Sequence, residues 1–250
     1  AKLRVARRSF PKSGVISHLL AVSGCAGLVH PSVLRSAIVT GRVFLAVAGN
    51  IGSGKTTLTR RLVERLEMSG LYEDTADNPY LADFYGDMRR WAMALQLRFL
   101  GVRVAQTRDH VERGVSTIQD RTCYEDAEIF AKNLHQRGDM DARDWETYAL
   151  IAEQLLGGLD APDLLVYLRR SPESCRRLIA RRGRDYEATI PADYLADLGA
   201  RYDAWFEAYA RGPKLLVRAE EHDFLNSEAD LETLVGRIVE ALPQRPLPFG

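Results

Sequence analysis

The sequence predicts an α/β fold, a five-stranded parallel sheet flanked by helices, and three observations carry that expectation. Short apolar runs alternate with stretches of helical apolar spacing along most of the chain, the pattern of strand–helix–strand crossovers. The run "VFLAVA" at 43–48 passes directly into "GNIGSGKTT" at 49–57 and then into "LTRRLVERLE", so a strand, a glycine-rich turn and a helix start follow one another. Prolines and glycines fall where helices begin and end, with Pro172 and Pro191 at first turns and Gly157, Gly158 and Gly212 at termini.

Taken in order, strands are expected at 43–48, 70–73, 115–119, 163–168 and 214–218. Helices are expected near 54–68, 80–112, 124–136, 142–157, 172–182, 192–210 and 228–241. A chain of 250 residues, 46% of them hydrophobic, can bury one large core, and no internal repeat argues for an array. We therefore expect one domain over 43–250. In such sheets ligands gather beyond the carboxyl ends of the strands, and residues there become the functional candidates.

The formal charge is zero, but its distribution is uneven. Residues 1–42 hold seven Lys/Arg and no acid, leaving 27 basic against 34 acidic residues in 43–250. A mildly acidic body argues against a nucleic-acid groove. Cys25, Cys123 and Cys175 lack the spacing of a zinc site or a disulfide framework, and a reducing cytoplasm fits them. The segment "ARRSFPKSGVISHLLAVSGCAG" has the twin arginines and small-residue box of an export signal, but Pro11 and His18 interrupt an apolar stretch too short to span a bilayer. Residues 1–42 are expected to be a flexible extension or not native, and no membrane association is expected.

The stretch 49–57 satisfies the phosphate-loop pattern: Gly49, the four residues Asn50, Ile51, Gly52 and Ser53, then Gly54, Lys55 and Thr56, with Thr57 inside the new helix. Glycines let successive backbone N–H groups face an anion, Lys55 reaches the outer phosphates, and Thr56 can hold Mg2+. This names a nucleotide and not yet a reaction.

Residues at the other strand ends suggest one. Glu73 follows the second strand, where a carboxylate can accept a hydroxyl proton as that oxygen attacks phosphorus; taken alone, an acid in a loop is more often simply solvated. Asp120 and Arg121 follow the third strand: Asp120 can orient Mg2+ through water, and Arg121 can hold the attacking hydroxyl or the migrating phosphoryl group, or the two can be an ion pair at a helix start. In "CRRLIARRGRDYE" five arginines crowd into 176–184, which suits a mobile lid that closes on ATP unless they form only a solvated basic face. Gln96 and Arg103 lie seven residues apart, on one face of an otherwise apolar helix, and the Gln amide offers the donor and acceptor that pair with a base edge. Trp91 and Phe99 at helical spacing are by default core.

These motifs together resemble the deoxyribonucleoside kinase family, most closely its bacterial deoxyadenosine/deoxyguanosine kinases. The resemblance spans about 43–224 and rests on "GNIGSGKTT", "DNPYLADFY", "WAMALQ", "DRTCYEDAEIFAKNL", "PDLLVYL" and "RRGRDYE", in order. It implies a P-loop kinase fold of the nucleoside monophosphate kinase type, ATP with Mg2+ as donor, transfer to the 5′-hydroxyl of a deoxynucleoside, a role in nucleotide salvage, and a homodimer or a heterodimer with a related kinase subunit. By the same resemblance Glu73 matches the catalytic base, Arg121 the arginine near the 5′-oxygen, and Asp120 with Thr56 the metal site. Tyr85 and Glu187 match the pair at the sugar 3′-hydroxyl, and Gln96, Arg103 and Asp126 the trio around the base, which points to deoxyadenosine, deoxyguanosine or deoxycytidine. Arg182 and Arg184 match arginines of a lid near 181–188, and Asp223 with Phe224 the loop near the adenine of ATP. Two positions depart from the family pattern: Asp74 and Thr75 follow Glu73 where Pro-Val is common, and Leu178 stands where an arginine often stacks on adenine. The alternative is a nucleoside monophosphate kinase of the thymidylate kinase type, which shares the loop, an Asp-Arg motif and an arginine lid.

Overall fold

A computed structural model describes residues 42–73 and 78–243. Five strands, β1 (Phe44–Ala48), β2 (Ser69–Leu71), β3 (Thr117–Asp120), β4 (Leu164–Arg169) and β5 (Lys214–Arg218), form one all-parallel sheet in the order β2-β3-β1-β4-β5. β1 lies at the centre and is buried along its whole length, which is why it reads as an unbroken apolar run. Its register sets Val47 beside Asp120 and Ala48 beside Tyr167, so the loop after β1 emerges between the ends of β3 and β4.

Side chains of the sheet alternate between two cores. Leu45, Val47, Leu164, Val166 and Leu168 pack with α1 (Lys55–Leu66) and, near the carboxyl end of the chain, α9 (Glu228–Ala241). Ala46, Ala48, Leu165 and Tyr167 face the other core, with α2 (Leu81–Gly86), α3 (Met88–Arg113), α6 (Ala142–Leu156) and α8 (Ala192–Ala208). Between β3 and α6 run a short α4 (Cys123–Glu125), a π-helical stretch (Asp126–Ala131) and α5 (Lys132–Arg137); α7 (Pro172–Arg182) follows β4.

Three expectations change. The helix expected over 80–112 is two helices, because Asp87 leaves helical geometry (φ −148°, ψ 83°) and its carboxylate accepts the Arg90 amide at 3.1 Å, capping α3. The helix expected over 124–136 is interrupted by the π-helical stretch, which no periodicity of 3.6 reveals. The second strand ends at Leu71, two residues before Glu73, with Gln119 of β3 as its last partner. Residues 1–41, with the expected extension, and Asp74 and Thr75 lie outside the described residues. Arg42, assigned by sequence to the extension, donates to the Val111 carbonyl at 3.0 Å and to Asp160 at 3.2 Å.

Candidate active site

The phosphate loop is held open by its own backbone. Gly52 and Gly54 have φ of 73° and 99°, where side chains are strained, and a Cβ at Gly52 would stand 2.6 Å from Ile179 and 2.7 Å from the Cys175 carbonyl. Asn50 ties the loop to α8, donating to the Leu195 carbonyl at 2.9 Å and accepting the Ile51 amide at 2.8 Å. Lys55 is buried and donates to the Asn50 carbonyl at 2.8 Å; burial pushes its pKa down. Thr56 donates its hydroxyl to Asp120 at 2.5 Å. Asp120 keeps its other oxygen buried without a partner, as does the Ser53 hydroxyl.

The loop forms one end of a cleft of about 890 Å3, open mouth included. At the other end four charged side chains interlock. Glu73 accepts from Arg103 at 2.7 Å and from Arg121 at 3.5 Å, and both guanidiniums approach Asp126, at 3.3 and 3.6 Å. Burial alone would raise the pKa of Glu73, but Arg103, Arg121 and Lys55 outweigh it and hold the carboxyl at about 2. Asp126 lies deeper: burial dominates, and in spite of the same arginines it is pushed up to about 6. Arg121 also sits over the Phe130 ring, 3.4 Å from its centroid, from a backbone at φ 74°, which is strained for any residue but glycine.

Glu73, Lys55, Thr56, Asp120, Arg121, Gln96, Tyr85, Arg182, Arg184 and Glu187 all line this cleft, with Ile51 and Gly52 of the loop. Gln96 is buried, and its carbonyl oxygen has no partner. Tyr85 stacks on Tyr186 at 6.4 Å, and Glu187 is gripped by Arg182 at 2.9 Å and Arg184 at 3.3 Å. Arg103 and Asp126 stand behind the wall and act on the cleft through Glu73 and Arg121. Thr57 is exposed. Asp223 accepts from Asn226, while Phe224 is buried in the core shared with α1 and α9, its carbonyl taking a hydrogen bond from Arg61; neither lines the cleft. Of the aromatic pair on α3, Phe99 lines the cleft and Trp91 packs near Tyr80 instead. Sequence reasoning missed Phe130, Tyr186 and Tyr194 as lining residues. Phe130 follows Asp126 by four, one helical turn, so the two share a face, and both meet Arg121.

A glycine-built anion loop, a lysine and a hydroxyl beside a carboxylate at one end, and a buried acid among arginines at the other, define a nucleotide-dependent phosphotransferase, a kinase. Its family follows from comparison: the chain belongs to the deoxynucleoside kinases, whose sequence model matches residues 45–243. It is 36% identical over 200 residues to a deoxyadenosine/deoxycytidine kinase of Bacillus subtilis, covering 79% of this chain and 92% of that one. It is 33% identical over 209 residues to a deoxyguanosine kinase of Lactobacillus acidophilus, covering 80% and 91%. A solved deoxyadenosine kinase from M. mycoides with bound dATP superposes with a TM-score of 0.70 at 25% identity, covering 78% of this chain and 99% of that one. The protein is thus a kinase that phosphorylates deoxynucleosides, with a nucleotide as donor, and the thymidylate kinase alternative is set aside.

Proposed function

We propose that this kinase moves the terminal phosphoryl group of ATP to the 5′-hydroxyl of a purine deoxynucleoside, deoxyadenosine or deoxyguanosine, with deoxycytidine as a further acceptor. The observation that carries the reading is Glu73, a carboxylate held ionised between two arginines in the same cleft as the phosphate loop. Its low pKa makes it a hydrogen-bond acceptor that orients the 5′-hydroxyl first and takes the proton late, once bonding to phosphorus has acidified that oxygen. Lys55 and Arg121 face the charge that spreads over the transferred group, and Arg182 and Arg184 add to it from a lid near 181–188. Gln96 presents an amide to the base, while Arg103 and Asp126 set the charge behind it; Tyr85 and Glu187 stand for the sugar 3′-hydroxyl.

Thr56 and Asp120 fit a Mg2+ site. A hydroxyl beside a carboxylate with one buried, unpartnered oxygen is hard oxygen chemistry. Among the described residues no group of three or more His, Cys, Asp or Glu could hold a metal, which suits an ion that completes its shell with phosphate and water. When bound, Mg2+ supplies charge neutralisation at the phosphates. Asp223 and Phe224 remain candidates for the neighbourhood of the donor adenine. No helix among the described residues is long and apolar enough to cross a membrane. The likeness to bacterial deoxynucleoside kinases supports a cytoplasmic role in nucleotide salvage. Exposed Val102 on α3 and Leu150 on α6 suit a dimer, with a second copy or with a related kinase subunit.

The test is ADP release with ATP and Mg2+, offering four deoxynucleosides and their four monophosphates separately. Preference for a purine deoxynucleoside is expected; turnover confined to a pyrimidine deoxynucleoside or to a monophosphate overturns the reading.

A further inference from the structure

Glu125 takes no part in the reaction just described, yet it is wholly enclosed and both its oxygens are engaged. One accepts the Thr122 amide at 2.7 Å, which with the Glu125 amide donating to the Thr122 hydroxyl at 3.4 Å makes a capping box, and also accepts the Thr122 hydroxyl at 3.0 Å; the other accepts the Tyr202 hydroxyl at 2.9 Å. A capping box alone needs only the first of these. The second reaches 77 residues along the chain, to a fully buried tyrosine of α8.

The residue just ahead of the box is Arg121, a bulky side chain at φ 74° that only its surroundings can hold there. Its amide donates to the Val47 carbonyl at 3.0 Å, which fixes one side of the turn; the Thr122–Glu125 bonds fix the other. Tyr202 also meets Phe130 edge-on, with centroids 6.1 Å apart and planes at 81°, and Phe130 carries the Arg121 guanidinium on its face. One side chain of α8 thus braces both the backbone and the stacking partner of Arg121. The same helix presents Tyr194 to the cleft and the Leu195 carbonyl to the phosphate loop.

We propose that Glu125 and Tyr202 are positioning residues for phosphoryl transfer, holding Arg121 in its left-handed conformation so that its guanidinium is aimed at the transferred group. This rests on the reading of Arg121 given above. Steady-state kinetics and thermal unfolding of Tyr202→Phe, Glu125→Gln and Arg121→Ala test it, with Tyr167→Phe as a control. Tyr167 stacks on Tyr202, 5.7 Å away at 10°, but its hydroxyl binds Asp203.

Tyr202→Phe and Glu125→Gln are expected to lower kcat about 10- to 100-fold, the scale of a displaced catalytic group, with KM for either substrate nearly unchanged. Tyr167→Phe should lower the melting temperature and leave kcat as it is. Adding Tyr202→Phe to Arg121→Ala should lower kcat no further. Wild-type kcat in both Tyr202→Phe and Glu125→Gln, or a multiplicative loss in the double variant, overturns the proposal while Arg121 keeps its role. Normal turnover of Arg121→Ala alone removes that role and the proposal with it. If Glu125→Gln does not fold, Tyr202→Phe, which deletes one hydroxyl, decides the matter.

Discussion

The phosphate end of the cleft is made mostly of backbone, and the acceptor end almost entirely of charged side chains. At the first, the six contiguous residues 49–54 bend through glycines at positive φ, and Lys55 and Thr56 follow at once on the new helix. At the second, Glu73, Arg103 and the pair Arg121 and Asp126 arrive from three separate places in the chain, and each arginine stands 2.7–3.6 Å from both carboxylates. On the proposed reading, the first end is prepared for an anion by conformation, and the second for a hydroxyl by charge. Damage to each should therefore look different in kinetics.

The largest effect is expected from Glu73→Gln, which keeps shape and removes the acceptor. Turnover should fall about 100- to 10,000-fold, the span of a lost general base, while nucleotide binding stays near normal. Rapid-quench measurement of the chemical step checks this, and a kcat within a few fold of wild type would release Glu73 from its role. The next largest is Gly52→Ala. The added methyl has nowhere to go between Ile179 and the Cys175 carbonyl, so the loop must shift. We expect a stability loss of about 1–3 kcal/mol and a KM for ATP raised about tenfold or more, with KM for the deoxynucleoside little changed. Equal rises in both would show that the two ends are not separable.

That contrast also explains what was legible in the sequence. The phosphate loop is a local object: its spacing and its strand-to-helix setting can be read from the residues alone, and β1 and α1 stand where they were expected. The sheet followed from alternation of apolar runs, with edges shifting by a residue or two. The acceptor end is a tertiary object. Glu73 could be placed at a strand end, but that Arg103 grips it, or that Asp126 and Phe130 both meet Arg121, is fixed only by the packing of separate elements. The break at Asp87 was missed because a single capping carboxylate interrupts an apolar pattern that otherwise continues. The readings of Tyr85 and Glu187 came from resemblance alone and that of Gln96 also from a polar amide on an apolar helix, and the fold brings all three into the cleft.

The smallest effect, and the sharpest test of charge as the organising device, is in pH. The two carboxylates at the acceptor end are displaced in opposite directions: Glu73 from an ordinary 4.5 down to about 2, and Asp126 from 3.8 up to about 6. Glu73 stabilises the fold fully above 4.5 and loses that contribution as pH falls toward 2. For Asp126 the sign is reversed: between 3.8 and 6 the folded chain keeps a proton that the unfolded chain has released, so stability from this group declines as pH rises through that window. Activity should run the other way, because only ionised Asp126 offers Arg103 and Arg121 a second counter-charge. We expect kcat/KM for the deoxynucleoside to fall several-fold, the scale of a weakened charged hydrogen bond, between pH 7 and pH 5, and this step to vanish in Asp126→Asn. Melting temperatures over the same range should show Asp126→Asn gaining on wild type as pH rises from 4 to 6. An activity step that survives the substitution would assign the titration to another group; its loss together with the stability crossover would mean that the acceptor end keeps its charge at the expense of the fold, as the phosphate end keeps its glycines at a cost in chain entropy.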